Sequence, residues 1–260
     1  MRKALLVISF GTSYEETRKR TLDEIERTLA EAFPDRALYR AWTSGRILKK
    51  LRANGNAACD TLLEALERMA RDGVTDVLAQ PTFMLDGYEM QMSADLLREW
   101  RPRFERIALG APLLVGTEDL ETLTKILERR YADTVAAGEM LAFMGHGSEQ
   151  TAFNVYSILE ANFRRDGYAR FCVGTVEFDP GFAHVLAEVR TQKPRKVWLA
   201  PMMVVAGDHA TNDMAGEEDD SWKNMLGREG TETVCVMQGM GEYPEIRDMY
   251  VAHARAAAEI

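Results

Sequence analysis

Leu78-Ala79-Gln80-Pro81-Thr82-Phe83-Met84-Leu85-Asp86-Gly87-Tyr88-Glu89 and Trp198-Leu199-Ala200-Pro201-Met202-Met203-Val204-Val205-Ala206-Gly207-Asp208-His209 follow one plan. Each is an apolar run with a proline inside it, closed by a glycine and followed by a side chain able to hold a proton or a metal. At one constant offset Pro81 aligns with Pro201, Gly87 with Gly207 and Glu89 with His209. Ser9-Phe10-Gly11-Thr12 likewise resembles Gly145-His146-Gly147-Ser148. The chain therefore contains an internal repeat.

Outward from these stretches, apolar runs of strand length alternate with amphipathic segments. They are Lys3 to Phe10, Ala37 to Trp42, Val74 to Met84 and Arg106 to Leu109, then Met140 to Met144, Arg170 to Val176, Lys196 to Val205 and Thr233 to Met237. Short continuous apolar strands separated by helices are the pattern of a parallel sheet covered on both faces. The sequence thus predicts an α/β fold of two similar halves, each a four-stranded parallel sheet flanked by helices in the flavodoxin-like manner. The boundary is expected between Asp133 and Gly138, giving halves 1–135 and 136–260. Parallel sheets bind ligands beyond the carboxyl ends of their strands, so the site is expected there, in a cleft between the halves.

Two helix starts carry local signals. Ser13 stands before Glu16 at capping-box spacing, and Leu22, Ile25, Leu29 and Ala32 follow on one face. Asp179-Pro180 reads as a cap and a first-turn proline, with Phe182, Val185, Leu186 and Val189 as the buried stripe.

Composition narrows the function. Of 260 residues 46% are hydrophobic, enough for a full core, and 32 Lys+Arg against 41 Asp+Glu give a net charge of -9. That balance argues against nucleic acid or an anionic membrane as partner, because both need accumulated positive charge. Met1-Arg2-Lys3 enters the first strand directly, without a signal-peptide pattern, and Cys59, Cys172 and Cys235 form no Cys-x-x-Cys motif. Both features predict a cytoplasmic chain. Oligomeric state stays open.

Only four histidines occur, and two of them end strands. His146 lies between two glycines after the first strand of the second half; His209 follows the third strand, and Glu177 the second. Each has an ordinary alternative, a solvated turn, a loop residue and a helix-initiating acid respectively. Their common placement after strands one, two and three of one sheet lets them meet at one edge. Two imidazoles and a carboxylate suit a borderline divalent ion with positions left open, although these residue types do not choose among cobalt, nickel, iron and zinc. Ligand histidines must be neutral, so ion uptake is expected to fail as pH falls through the imidazole range. Glu89, the counterpart of His209, is a candidate to take a proton or touch the ion. His184 and His253 read as surface or packing residues. The acidic run Glu217 to Asp220 reads as a solvated helix start.

These motifs resemble those of the class II tetrapyrrole chelatases, most closely the sirohydrochlorin cobaltochelatases of anaerobic cobalamin biosynthesis. The resemblance covers nearly the whole chain and rests on Leu6 to Ser13, Gly145 to Ser148, Gly174 to Glu177 and, most specifically, Pro201 to Gly216. It implies a lyase that inserts Co2+ into sirohydrochlorin or its methylated form, with His146 as proton acceptor and ligand and with Glu177 and His209 completing the ion site. Substrate contacts are expected at Glu89, Phe10 and Ser13, and backbone amides after Ser13 and Ser148, with arginines, are expected to receive peripheral carboxylates. No nucleotide or flavin is expected, since the chain has neither a Walker-type loop nor a Gly-x-Gly-x-x-Gly after its first strand. The alternatives are a ferrochelatase acting on the same macrocycle, a non-catalytic tetrapyrrole or metal carrier, and, on fold alone, a flavin-binding domain.

Overall fold

The computed structural model shows the apolar runs at residues 4–9 and 139–145 as strands buried on both faces, and it describes residues 2–55, 59–147 and 155–260. Ser148 and the helix start read after it lie outside them. In the first half the chain forms β1 (Arg2–Ser9), α1 (Glu15–Arg20), α2 (Leu22–Ala32), β2 (Ala37–Trp42), α3 (Gly45–Ala53), β3 (Asp60–Thr61), α4 (Leu62–Arg71), β4 (Val74–Pro81), α5 (Tyr88–Trp100) and β5 (Arg106–Leu109). It continues as α6 (Thr117–Tyr131), β6 (Glu139–Gly145), α7 (Val155–Arg165), β7 (Phe171–Thr175), α8 (Gly181–Gln192), β8 (Lys196–Met202), a π-helical turn (Ala210–Met214), α9 (Trp222–Arg228), β9 (Glu232–Cys235), α10 (Pro244–Arg255) and β10 (Ala258–Glu259). Among the described residues no helix is long and apolar enough to cross a membrane.

The strands assemble into two sheets, ordered β10-β5-β4-β1-β2-β3 and β7-β6-β8-β9. Removing the two edge strands from the first leaves β5-β4-β1-β2, which repeats as β9-β8-β6-β7 in the second, all parallel. The internal repeat is therefore also a repeat of topology, the doubly wound order in which the ligand edge lies where the winding reverses. The first sheet has six strands rather than the expected four. β3 and β10 have two residues each, too few for any periodicity to register, and β10 runs antiparallel to β5.

The chain packs as two compact units, Met1–Val115 with Gly241–Ile260, and Gly116–Met240. This differs from a division at 135/136 because side chains on two helices choose their neighbours across that point. On α6, Leu120, Leu123 and Leu127 are buried and Thr124 accepts from Asn162 Nδ2 of α7 at 3.2 Å, so α6 belongs to the second unit. On α10, the buried Tyr250 donates to the carbonyl of Thr82 at 2.9 Å, which returns the C-terminal helix to the first.

Two apolar runs overshoot their strands. β4 ends at Pro81 and β8 at Met202, after which the backbone leaves the sheet: Leu113 and Leu114 donate to Phe83 and Met84, and Met240 donates to Met203. Phe83 and Met203, just beyond the strands, pack against the two hydrophobic cores. Both helix-start signals also resolve differently. α1 starts at Glu15 with Tyr14 in the cap position and no side-chain cap, while the Ser13 hydroxyl accepts from Lys50 Nζ at 3.3 Å. α8 starts at Gly181, one residue after Pro180, also without a side-chain cap.

α4 shows how burial follows the helical period, with Leu62, Ala65, Leu66 and Met69 turned inward against β1 and β4. Thr61 and Glu64 close a capping box at its start. Leu66→Ala, at a fully buried position, is expected to cost about 2–5 kcal/mol and Leu63→Ala, 44% exposed, less than about 1 kcal/mol, read by chemical denaturation. Equal losses would place the wrong face of α4 in the core.

Candidate metal-binding site

Three of the four strands in the second sheet, β7, β6 and β8, are adjacent, and their carboxyl ends carry Glu177, His146 and His209 in that order. The turn after β6 is built from backbone. Gly147 has φ +94, and a Cβ there would lie 1.7 Å from the Glu177 carbonyl oxygen, so only glycine fits. Gly145 is equally constrained, since a Cβ would lie 2.3 Å from the Tyr156 ring. The Tyr156 hydroxyl accepts from the Gly147 N–H at 3.2 Å. Burial pushes that phenol's pKa up despite the amide beside it, which keeps the group neutral.

His146 Nδ1 lies 3.0 Å from the Gly147 carbonyl oxygen. A carbonyl only accepts, so Nδ1 carries the proton and Nε2 keeps its lone pair. His209 Nδ1 lies 2.7 Å from Asp213 Oδ2, one turn onward. The carboxylate fixes the same tautomer there. The two rings stand edge to face with centroids 5.0 Å apart. Both imidazoles thus offer the nitrogen that can take a metal or a proton, and both are tied at the other.

Glu177 is joined to His146 through the backbone, its N–H donating to the His146 carbonyl at 2.9 Å, while its side chain is exposed. Thr175 shapes the loop beyond: its hydroxyl donates to the Phe178 carbonyl at 2.7 Å and accepts from the Gly181 N–H at 3.2 Å. These bonds hold Phe178 at φ +63, a left-handed conformation that costs a bulky residue about 1–3 kcal/mol and tends to be kept at functional loops.

The first unit repeats this frame with different chemistry. Ser44 donates to the Phe10 carbonyl as Glu177 does to His146, and Gly11, at φ +98, matches Gly147. Phe10, Ser44 and Glu89 therefore stand where His146, Glu177 and His209 stand in the second unit. Phe10 is 49% exposed. Glu89, in the first turn of α5, has a buried Oε2 without a hydrogen-bond partner. A buried, unpartnered carboxylate oxygen at a ligand edge is a costly arrangement without a ligand to satisfy it.

A family model described as cobalt chelatase (CbiK) matches residues 3–259. The chain belongs to the cobalt chelatase family. It is 40% identical over 258 residues to a sirohydrochlorin cobaltochelatase of Salmonella typhimurium, covering 99% of this chain and 97% of that one. It is 31% identical to the sirohydrochlorin cobaltochelatase CbiKC of Nitratidesulfovibrio vulgaris, covering 98% and 90%. Among solved structures, SirB from Bacillus subtilis with Fe3+ shares the fold at TM-score 0.67 and 13% identity, covering 98% of this chain and 95% of that one. The chain is accordingly a metal chelatase with a divalent ion as substrate.

In this cobalt chelatase His146, Glu177 and His209 share one sheet edge, but their ligand atoms are not gathered within 4.8 Å of one another. Among the described residues the group of three that is so gathered is Glu160, His184 and Glu188. Arg164 donates to both of those carboxylates, at 2.7 and 2.8 Å, and His184 lies 2.8 Å from Glu160, so the ligand atoms of this group already have partners within the protein. His253 packs against the Pro112 carbonyl at 2.7 Å. Tyr156, Thr175 and Asp213, which contact the turn after β6, the loop after Glu177 and the His209 ring, carry no role in the sequence pattern. Asp213 alone left a signal, standing four residues after His209. Replacing it by alanine is expected to weaken Co2+ binding about 10–100-fold with little loss of stability, measured by titration calorimetry. Unchanged affinity would remove Asp213 from the site.

Proposed function

We propose that this chelatase inserts Co2+ into sirohydrochlorin, in anaerobic cobalamin biosynthesis, using His146, Glu177 and His209 to hold the entering ion. What carries this reading is the pair of imidazoles 5.0 Å apart, each with Nδ1 engaged by an acceptor and Nε2 left for a ligand. The relatives named as sirohydrochlorin cobaltochelatases supply the macrocycle and the ion. Imidazole and carboxylate donors suit a borderline divalent ion, and an exposed Glu177 leaves that side open to an incoming substrate.

The reaction balances without a redox partner. Two pyrrole N–H bonds break, four nitrogen–metal bonds form, and two protons leave as one doubly charged ion enters. A base beside the metal is therefore required, and His146 Nε2 is the assigned acceptor, passing its proton to solvent before the next cycle. Glu89, with its unpartnered oxygen, is assigned to the substrate as the acid-base counterpart of His209 in the repeat. Phe10 offers an exposed apolar face to a flat macrocycle, and Ser13 a hydroxyl beside it in sequence. We place the reaction in the cytoplasm, consistent with Cys59, Cys172 and Cys235 being unpaired.

Cobalt insertion followed by absorbance is expected to slow about 100-fold or more in His146→Ala, while binding of the metal-free macrocycle persists. Macrocycle binding by the unmodified protein without acceleration over the uncatalysed rate would make it a carrier. Acceleration retained in the variant would exclude His146 as the base.

A further inference from the structure

Most cations of this acidic protein are paired. On α3 three cations stand together: Arg46, Lys49 and Lys50 are exposed, fall on one helical face, and among the described residues none of them meets a carboxylate. On the same helix Arg52 is paired with Glu64. Lys50 Nζ instead reaches Ser13 Oγ at 3.3 Å, in the loop that follows Phe10.

Helix stability does not explain the arrangement. α1, α2, α4, α5 and α10, the other α-helices of the first unit, begin with acidic residues, as the helix dipole favours. α3 has no acid in its first turn and carries Arg46 there, where a cation is disfavoured. The helix is anchored by buried Leu48 and capped by Ser44, which accepts from Ile47 N at 3.4 Å. It is entered directly from the carboxyl end of β2, so its positive first turns lie at the edge where β1 delivers Phe10 and Ser13.

Resting on the functional reading above, we propose that Arg46, Lys49 and Lys50, with the Ser13 hydroxyl, form the surface that receives the peripheral carboxylates of the macrocycle. A protein of net charge -9 repels a polyanion at long range, and a local patch of unpaired cations reverses that sign where docking occurs. Three flexible or forked cations spaced along little more than one turn suit several carboxylates on a flat rim rather than one small anion.

The test is initial-rate kinetics with sirohydrochlorin and Co2+ for the full chain carrying Arg46→Gln, Lys49→Gln and Lys50→Gln together. The control carries Arg71→Gln, Lys223→Gln and Arg255→Gln, an equal change of net charge at exposed positions elsewhere. The α3 variant is expected to raise KM for the macrocycle about 10-fold or more, leave kcat within about twofold and KM for Co2+ unchanged, and flatten the salt dependence of macrocycle binding. An unchanged macrocycle KM, or an equal rise in the control, overturns the proposal while the chelatase reading stands. An unmodified protein that neither binds nor metallates sirohydrochlorin overturns both.

Discussion

The close docking of two strand ends, with the Glu177 N–H on the His146 carbonyl and the Gly147 α-carbon against the Glu177 carbonyl, is the constraint on which the second unit's site depends. Parallel strands deliver their carboxyl ends to one edge, but only a turn without a side chain lets those ends lie this close. Gly145 and Gly147 create the space, and Tyr156 fills it from α7 while holding the Gly147 amide. His146 and Glu177, outside regular structure, are thus joined to each other by backbone hydrogen bonding, the support that a preorganised site needs.

The repeat explains how one fold carries an unsymmetrical reaction. The same backbone frame occurs in both units, down to the matching amide bonds and the left-handed glycines Gly11 and Gly147. The side chains on it have diverged: two imidazoles and a carboxylate in the second unit, an aromatic ring, a hydroxyl and a carboxylate in the first. The second unit thus carries the side-chain types that suit a metal, and the first carries apolar and polar groups instead. The cationic face of α3 extends that division of labour, since α8, the helix in the corresponding place, carries no such cluster in its first turns.

Much of this was legible in the sequence because it is written in periodicity and local symmetry. All eight main strands coincide with apolar runs, and the pairing of Pro81 with Pro201 anticipates the matching sheet orders. What was not legible depends on tertiary neighbours. Two-residue strands carry no pattern, and α6 and α10 join units that sequence proximity does not suggest. Ser13, at capping-box spacing, instead meets a lysine from another helix. Within the site, residue type and strand-end position single out His146, Glu177 and His209 as candidates, whereas the tautomer of each imidazole is decided by Gly147 and Asp213, and Tyr156 has no motif at all.

With Nδ1 of each ring held by an acceptor, His146 and His209 both present Nε2 as a free lone pair. Long-range proton–nitrogen correlation spectra of histidine-labelled protein, in mildly alkaline solution without metal, read this directly once single variants assign the four histidines. Both rings are predicted to be neutral and protonated at Nδ1, with Co2+ then perturbing their resonances selectively. Protonation at Nε2 in either ring, or cobalt acting on His184 instead, would contradict the account.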